Sequence, residues 1–282
     1  MLWKRQVVET TRGSFELFFK GDGEPICITH LYSTFNETGD YFADTFTGSN
    51  SVYLINLRET GSSVRAEQFY QLSMLETVMD LEAIRRALGF KAWYFAGHST
   101  GGMLGLVYGI YFPDSLTGLV IVGAAARDYT ISPFCIYHPD HPDFQRMQQL
   151  IEMLKKADLK ENQRKALTRE RTKLSLYSPE TYEQNFDKPI KKKLSKVRIE
   201  FFNRELAIYD VRSKLPYCHS NLLILCGKYD VQCPLEFSKE INELVPNSRF
   251  ITYDKSNHYP FLEEKQSFSR DIHHFLEGEA AH

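Results

Sequence analysis

The stretch Ala92-Trp93-Tyr94-Phe95-Ala96-Gly97-His98-Ser99-Thr100-Gly101-Gly102 decides how this chain is read. Ala92 to Ala96 is a short apolar run, read as a buried strand. From Gly101 to about Tyr111 the residues are small and apolar, read as a helix. Ser99 therefore sits on a sharp strand-to-helix turn. Such a turn strains the serine backbone and crowds its neighbours, and glycines two positions before and two after relieve the crowding.

Outward from this turn the chain alternates strand and helix signals. Residues 3–9 and 14–19 read as strands joined at Thr11-Arg12-Gly13. Ile26 to Thr29, Val52 to Ile55, Leu119 to Val122, Leu222 to Leu225 and Phe250 to Tyr253 read as further strands. Met74, Val78, Leu81, Ile84 and Leu88 recur at helical spacing, with Ser73 and Glu76 in a capping-box pattern and Gly89 at the C-cap. Pro234 opens a helix reaching about Leu244, and a single helix from about Phe261 to Phe275 closes the chain. This alternation implies an α/β fold with a doubly wound, mainly parallel sheet.

The pattern changes over residues 126–216, where no buried-strand signal occurs. Residues 151–200 hold 14 Lys or Arg against 8 Asp or Glu. We expect 126–216 to be a helical cap inserted into a core built from 1–125 and 217–282.

With 282 residues and 43% hydrophobic content, the chain is long and apolar enough for a large core. A formal charge of -2 leaves no basic footprint for nucleic acid. No run of about 18 apolar residues is present to span a membrane, and no apolar segment follows the first residues as in a secretory signal. Five cysteines in no framework spacing point to free thiols in a reducing, cytoplasmic setting. The expected partner is a small-molecule substrate; oligomeric state is not legible.

A serine hydroxyl attacks a carbonyl only with a base in reach, and that base needs a third group to fix its tautomer. His258, after the last predicted strand, is the candidate base. Asp230, after the strand at 222–225, is the candidate orienting acid, with Asp128 as the alternative. The negative charge formed on the substrate oxygen needs backbone N–H donors. Thr100 supplies one; Tyr32 or Leu31, after the strand at 26–29, supplies the other. His138-x-x-His141 lies among prolines without a metal-binding helix context, so no metal and no cofactor is expected. His98 is read as packing beside the turn.

Four segments resemble the α/β-hydrolase superfamily, in its cap-bearing branch of proline iminopeptidase-like enzymes and small carboxylesterases. Gly97 to Gly102 resembles the nucleophile elbow. Leu57-Arg58-Glu59-Thr60-Gly61-Ser62-Ser63 resembles the family's Arg-Gly-x-Gly-x-Ser loop. Gly227-Lys228-Tyr229-Asp230 and Asn257-His258-Tyr259-Pro260 resemble its acid-bearing turn and histidine loop. The order Ser, Asp, His is also the superfamily's. The resemblance implies a serine hydrolase acting on a small carboxylic ester. Tyr177, Tyr182, Phe186, Phe201 and Phe202 of the cap are candidate pocket residues. Two alternatives stand beside it: an aminopeptidase whose cap acids, Glu200 or Glu205, pair with a substrate amine, and a slow-turnover receptor on the same fold. The family's usual His-Gly is His30-Leu31 here, a change expected to reshape the oxyanion loop.

Overall fold

A computed structural model describes residues 2–156 and 158–278. Eight strands build one sheet: β1 (Lys4–Thr10), β2 (Gly13–Lys20), β3 (Glu24–Ile28), β4 (Asn50–Ile55), β5 (Trp93–His98), β6 (Leu116–Val122), β7 (Leu222–Gly227) and β8 (Ser248–Tyr253). Their spatial order is β1-β2-β4-β3-β5-β6-β7-β8. The hairpin β1–β2 and the pair β2–β4 are antiparallel; every pair from β4 to β8 is parallel. Strand β7, Leu222-Leu223-Ile224-Leu225-Cys226-Gly227, is buried at every residue. That is the pattern of a strand covered on both faces.

Two apolar cores lie on the two faces. Met74, Val78, Leu81 and Ile84 of the helix Met74–Ala87 enter the first, with Met103 to Val107 of the helix Thr100–Tyr111 and Phe237 and Ile241 of the helix Leu235–Leu244. Phe268, Ile272 and Phe275 of the helix Lys265–Leu276 enter the second, beside Phe42, Phe46 and Phe261. At the first of these helices the serine half of the expected capping box and the glycine past the C-terminus are present, while the Glu76 carboxylate accepts from Arg12 and the Ser73 N–H goes to Tyr70 O. Ser73 Oγ accepts the N–H of Glu76 at 3.3 Å, and Gly89 just past the helix takes φ +79°. An N-cap hydroxyl of this kind contributes about 1 kcal/mol.

Among the described residues, the chain between β6 and β7 adds no strand to this sheet. It carries the helices Phe144–Lys155, Glu161–Lys173 and Lys196–Leu206. Lys193–Leu194 forms a two-stranded ribbon with Ser33–Thr34, just beyond β3.

One expected element differs. The closing helix is broken at Glu264 (φ -124°, ψ 47°) into a turn, Pro260–Glu263, and the helix Lys265–Leu276. The cause is a pair of carboxylates turned back on the preceding loop. Glu264 Oε2 accepts from Lys255 N and Ser256 Oγ, each at 2.8 Å, and Glu263 Oε2 accepts from Asn257 N at 2.8 Å. Helical periodicity across 261–275 carries no sign of these long-range acceptors.

Candidate active site

Ser99 sits between β5 and the helix Thr100–Tyr111 with φ 56° and ψ -123°. Among the described residues only Glu59 shares a positive φ without being glycine. A non-glycine residue in such a region costs roughly 1–3 kcal/mol, and the surrounding packing must impose it. The Ser99 N–H donates to Val122 O at the end of β6, at 2.8 Å. Gly97 and Gly101 make the approach possible. A Cβ on Gly97 would lie 2.2 Å from the Gly101 backbone, and one on Gly101 would lie 2.4 Å from Thr29 O. The turn is thus wedged against the loop after β3.

Asp230 and His258 meet beside it, each carried by a loop at the C-terminal end of its strand. His258 Nδ1 lies 3.0 and 2.9 Å from the two Asp230 oxygens. The pair is buried, with 2% and 4% exposure. Asp230 Oδ1 also accepts the N–H groups of Gln232 and Cys233, at 2.9 and 2.8 Å. An acceptor at Nδ1 puts the ring proton there, which leaves Nε2 as the acceptor. Asp128 is used locally: its Oδ1 accepts from Thr130 N and Oγ1. Among the described residues no hydrogen bond of 3.5 Å or less joins Ser99 Oγ to His258. Such contacts are often long without substrate.

His98 holds the histidine loop in place. Its Nε2 donates to His258 O at 2.7 Å, and the two rings stand 4.4 Å apart. Burial pushes the His98 pKa well below its usual range, which keeps the ring neutral.

Among the described residues neither the Thr100 nor the Tyr32 N–H has a hydrogen-bond acceptor. Thr100 opens a helix, where the N-terminal dipole also favours negative charge. His30 ties the two sides together, with Nδ1 3.0 Å from Ser33 Oγ and Nε2 3.2 Å from Thr100 Oγ1. Burial lowers the His30 pKa well below the usual imidazole range, and Lys192 adds to the effect.

The family model described as alpha/beta hydrolase fold matches residues 32–265. The chain belongs to the alpha/beta hydrolase family. An alpha/beta fold family hydrolase from Bacillus anthracis has a solved structure 42% identical to this alpha/beta hydrolase, with a TM-score of 0.93 over 97% of this chain and 99% of that one. The 2-hydroxy-6-oxo-2,4-heptadienoate hydrolase of Pseudomonas putida is 25% identical over 209 residues, 72% of this chain and 70% of that protein. The AB hydrolase superfamily protein YisY of Bacillus subtilis is 24% identical over 273 residues, 90% of this chain and 92% of its own.

The aromatic residues expected around the pocket of this alpha/beta hydrolase separate into groups. Tyr182 and Phe186 stack at 4.8 Å, Phe186 meets Tyr259 edge-on at 5.6 Å, and Tyr259 packs on His258 at 5.3 Å. Phe202 is buried 5.8 Å from the Tyr32 ring. Phe201, half-buried on the same helix, has no ring partner among the described residues. Tyr177 is 43% exposed, and its ring rests 5.0 Å from that of Tyr229, the half-exposed residue before Asp230. Glu205 is committed to the Met74 N–H at 2.9 Å, and Glu200 is exposed. Leu31 turns its side chain into the first core. Arg198, Tyr259 and the bonding role of His98 escaped the sequence reading. Arg198 is one cation in a lysine-rich stretch, and no local signal marks it.

Proposed function

We propose that this protein is a serine hydrolase that cleaves a small carboxylic ester through an acyl-enzyme. The observation that carries the reading is the buried Asp230–His258 pair, held at 2.9 Å beside a serine in a strained turn. Ser99 Oγ attacks the ester carbonyl while His258 Nε2 takes its proton. Asp230 holds the tautomer and favours the imidazolium that forms. The Thr100 and Tyr32 N–H groups receive the oxyanion. His258 then protonates the leaving alcohol, and water activated by the same imidazole releases the acid. Residues 126–216 serve as the cap. Ser175 O accepts the His258 N–H at 3.3 Å, which seats this segment directly on the histidine loop. Tyr182 and Phe186 supply an apolar wall through Tyr259. Relatives named as hydrolases support hydrolysis as the reaction class. The five cysteines, all buried and free, support a reducing cytoplasmic setting.

The test is turnover of p-nitrophenyl acetate and butyrate by wild type and Ser99→Ala. We expect wild type to be active and the variant to lose at least about 10³-fold in kcat, as when a triad member is removed. Equal rates from the two proteins would overturn the assignment.

A further inference from the structure

Arg198 belongs to the helix Lys196–Leu206, outside the main sheet, and is only 2% exposed. A buried arginine ordinarily faces a carboxylate. Among the described residues no Asp or Glu oxygen lies within 4.0 Å of this one. Its partners are neutral oxygens. Nε donates to the Leu31 carbonyl, Nη1 to the Arg58 carbonyl at 3.0 Å, and Nη2 to Thr77 Oγ1 at 3.0 Å. Burial lowers its pKa only to about 10, so it stays charged at neutral pH. Asp80, Glu205 and Glu59 attract it from beyond ion-pair distance, yet burying a cation with no directly paired carboxylate is expensive compared with an apolar side chain of the same size.

The Leu31 carbonyl and the Tyr32 N–H belong to one peptide unit. In a trans peptide these two groups point in opposite directions. A bond that fixes the carbonyl on Arg198 therefore aims the N–H the other way, and that N–H has no acceptor among the described residues. The same loop reaches Thr100 through His30. The next carbonyl, Tyr32 O, accepts the Ser195 N–H at 2.8 Å, and Ser33 pairs with Leu194. Two successive carbonyls of the loop are thus held by residues 195 and 198.

We propose that Arg198 is a positioning residue that locks the Leu31–Tyr32 peptide with the Tyr32 N–H aimed at the oxyanion formed on Ser99. The proposal rests on the serine-hydrolase reading and deepens it: the inserted segment becomes part of the catalytic apparatus as well as its cover. With the lock removed, the peptide is free to rotate. A rotated peptide presents a carbonyl oxygen where the oxyanion develops, replacing attraction by repulsion.

The test compares wild type with Arg198→Met and Arg198→Lys. Loss of one oxyanion donor costs about 10²–10³ in kcat, so Arg198→Met is expected to fall by about 10² while KM moves less than about threefold. The inhibition constant of a trifluoromethyl ketone, which adds to Ser99 as a tetrahedral oxyanion, weakens by a similar factor. Arg198→Lys, which keeps the charge and one donor for Leu31, recovers part of the loss; it carries the comparison if the methionine variant does not fold. A crystal structure of Arg198→Met should show the Leu31–Tyr32 peptide turned. A folded variant with the peptide unmoved and kcat within about threefold of wild type overturns the proposal. If wild type shows no Ser99-dependent turnover, the hydrolase reading has failed by itself. The crystal structure then decides whether Arg198 holds the peptide, since an unturned peptide ends the claim and a turned one sustains it.

Discussion

At the scale of single residues, Asp230 is where sequence and structure meet most usefully. Chain order left Asp128 and Asp230 both available as the acid. The structure gives Asp128 to Thr130, two residues away, and Asp230 to His258. Asparagine at 230 keeps the shape but brings an amide that can donate to Nδ1. The imidazole is then driven to the tautomer whose Nε2 carries the proton and cannot act as a base. We expect Asp230→Asn to lose about 10²–10⁴ in kcat on p-nitrophenyl butyrate, with KM nearly unchanged. Activity within a few-fold of wild type would remove Asp230 from the mechanism. Ser99 was legible because its turn needs glycine at two fixed positions. His98 was legible only as a packing residue, since its bond to His258 O joins residues far apart in the chain.

At the scale of elements, the break at Glu264 shows how a loop captures a helix. Glu263 ends the short turn after Pro260 and joins two segments: Oε1 accepts from Tyr177 N at 2.6 Å and Oε2 from Asn257 N at 2.8 Å. Burial raises its carboxyl from 4.5 to about 7 despite these donors. Between those values the folded chain retains a proton that the unfolded chain has released. Stability from this group is therefore fully present below pH 4.5 and falls as pH rises toward 7. Glu263→Gln does not titrate. The difference in Tm, wild type minus variant, should decrease steadily from about pH 5 to about pH 8, followed by circular dichroism. A flat difference would show that Glu263 titrates normally. The sequence reading carried the helix through 264 because periodicity senses which side chains are apolar, not which backbone donors lie across space.

At the scale of the whole molecule, the sheet holds two cores apart and delivers three loop ends to one edge. Strands β5, β7 and β8 run parallel, so their C-terminal ends share that edge, where open α/β sheets place their ligands. Packing on both faces also encloses all five cysteines. Burial pushes the Cys135 thiol up to about 12, and the Cys27, Cys226 and Cys233 thiols are raised as well. Native protein at pH 8 should react with a disulfide reagent such as DTNB at least about 10²-fold more slowly than free thiol, because thiolate must form in an apolar site or wait for opening. In guanidinium all five should react. Rapid native labelling of any of them would mean that its part of the core opens readily.

The order of most strands and helices, the family, and the residues proposed to act as nucleophile and base are readable from the chain alone, which narrows the acid to Asp230 or Asp128. Those features are written locally, in glycine spacing, apolar runs and the loops that follow them. Tertiary structure alone decided which acid meets His258, where the last helix breaks, which aromatics reach the histidine, and what holds the loop after β3. Each of these depends on hydrogen bonds or ring contacts between residues distant in the chain. Arg198 is the clearest case: its partners are two carbonyls and a hydroxyl from other elements, and backbone carbonyls are the same at every position of a sequence.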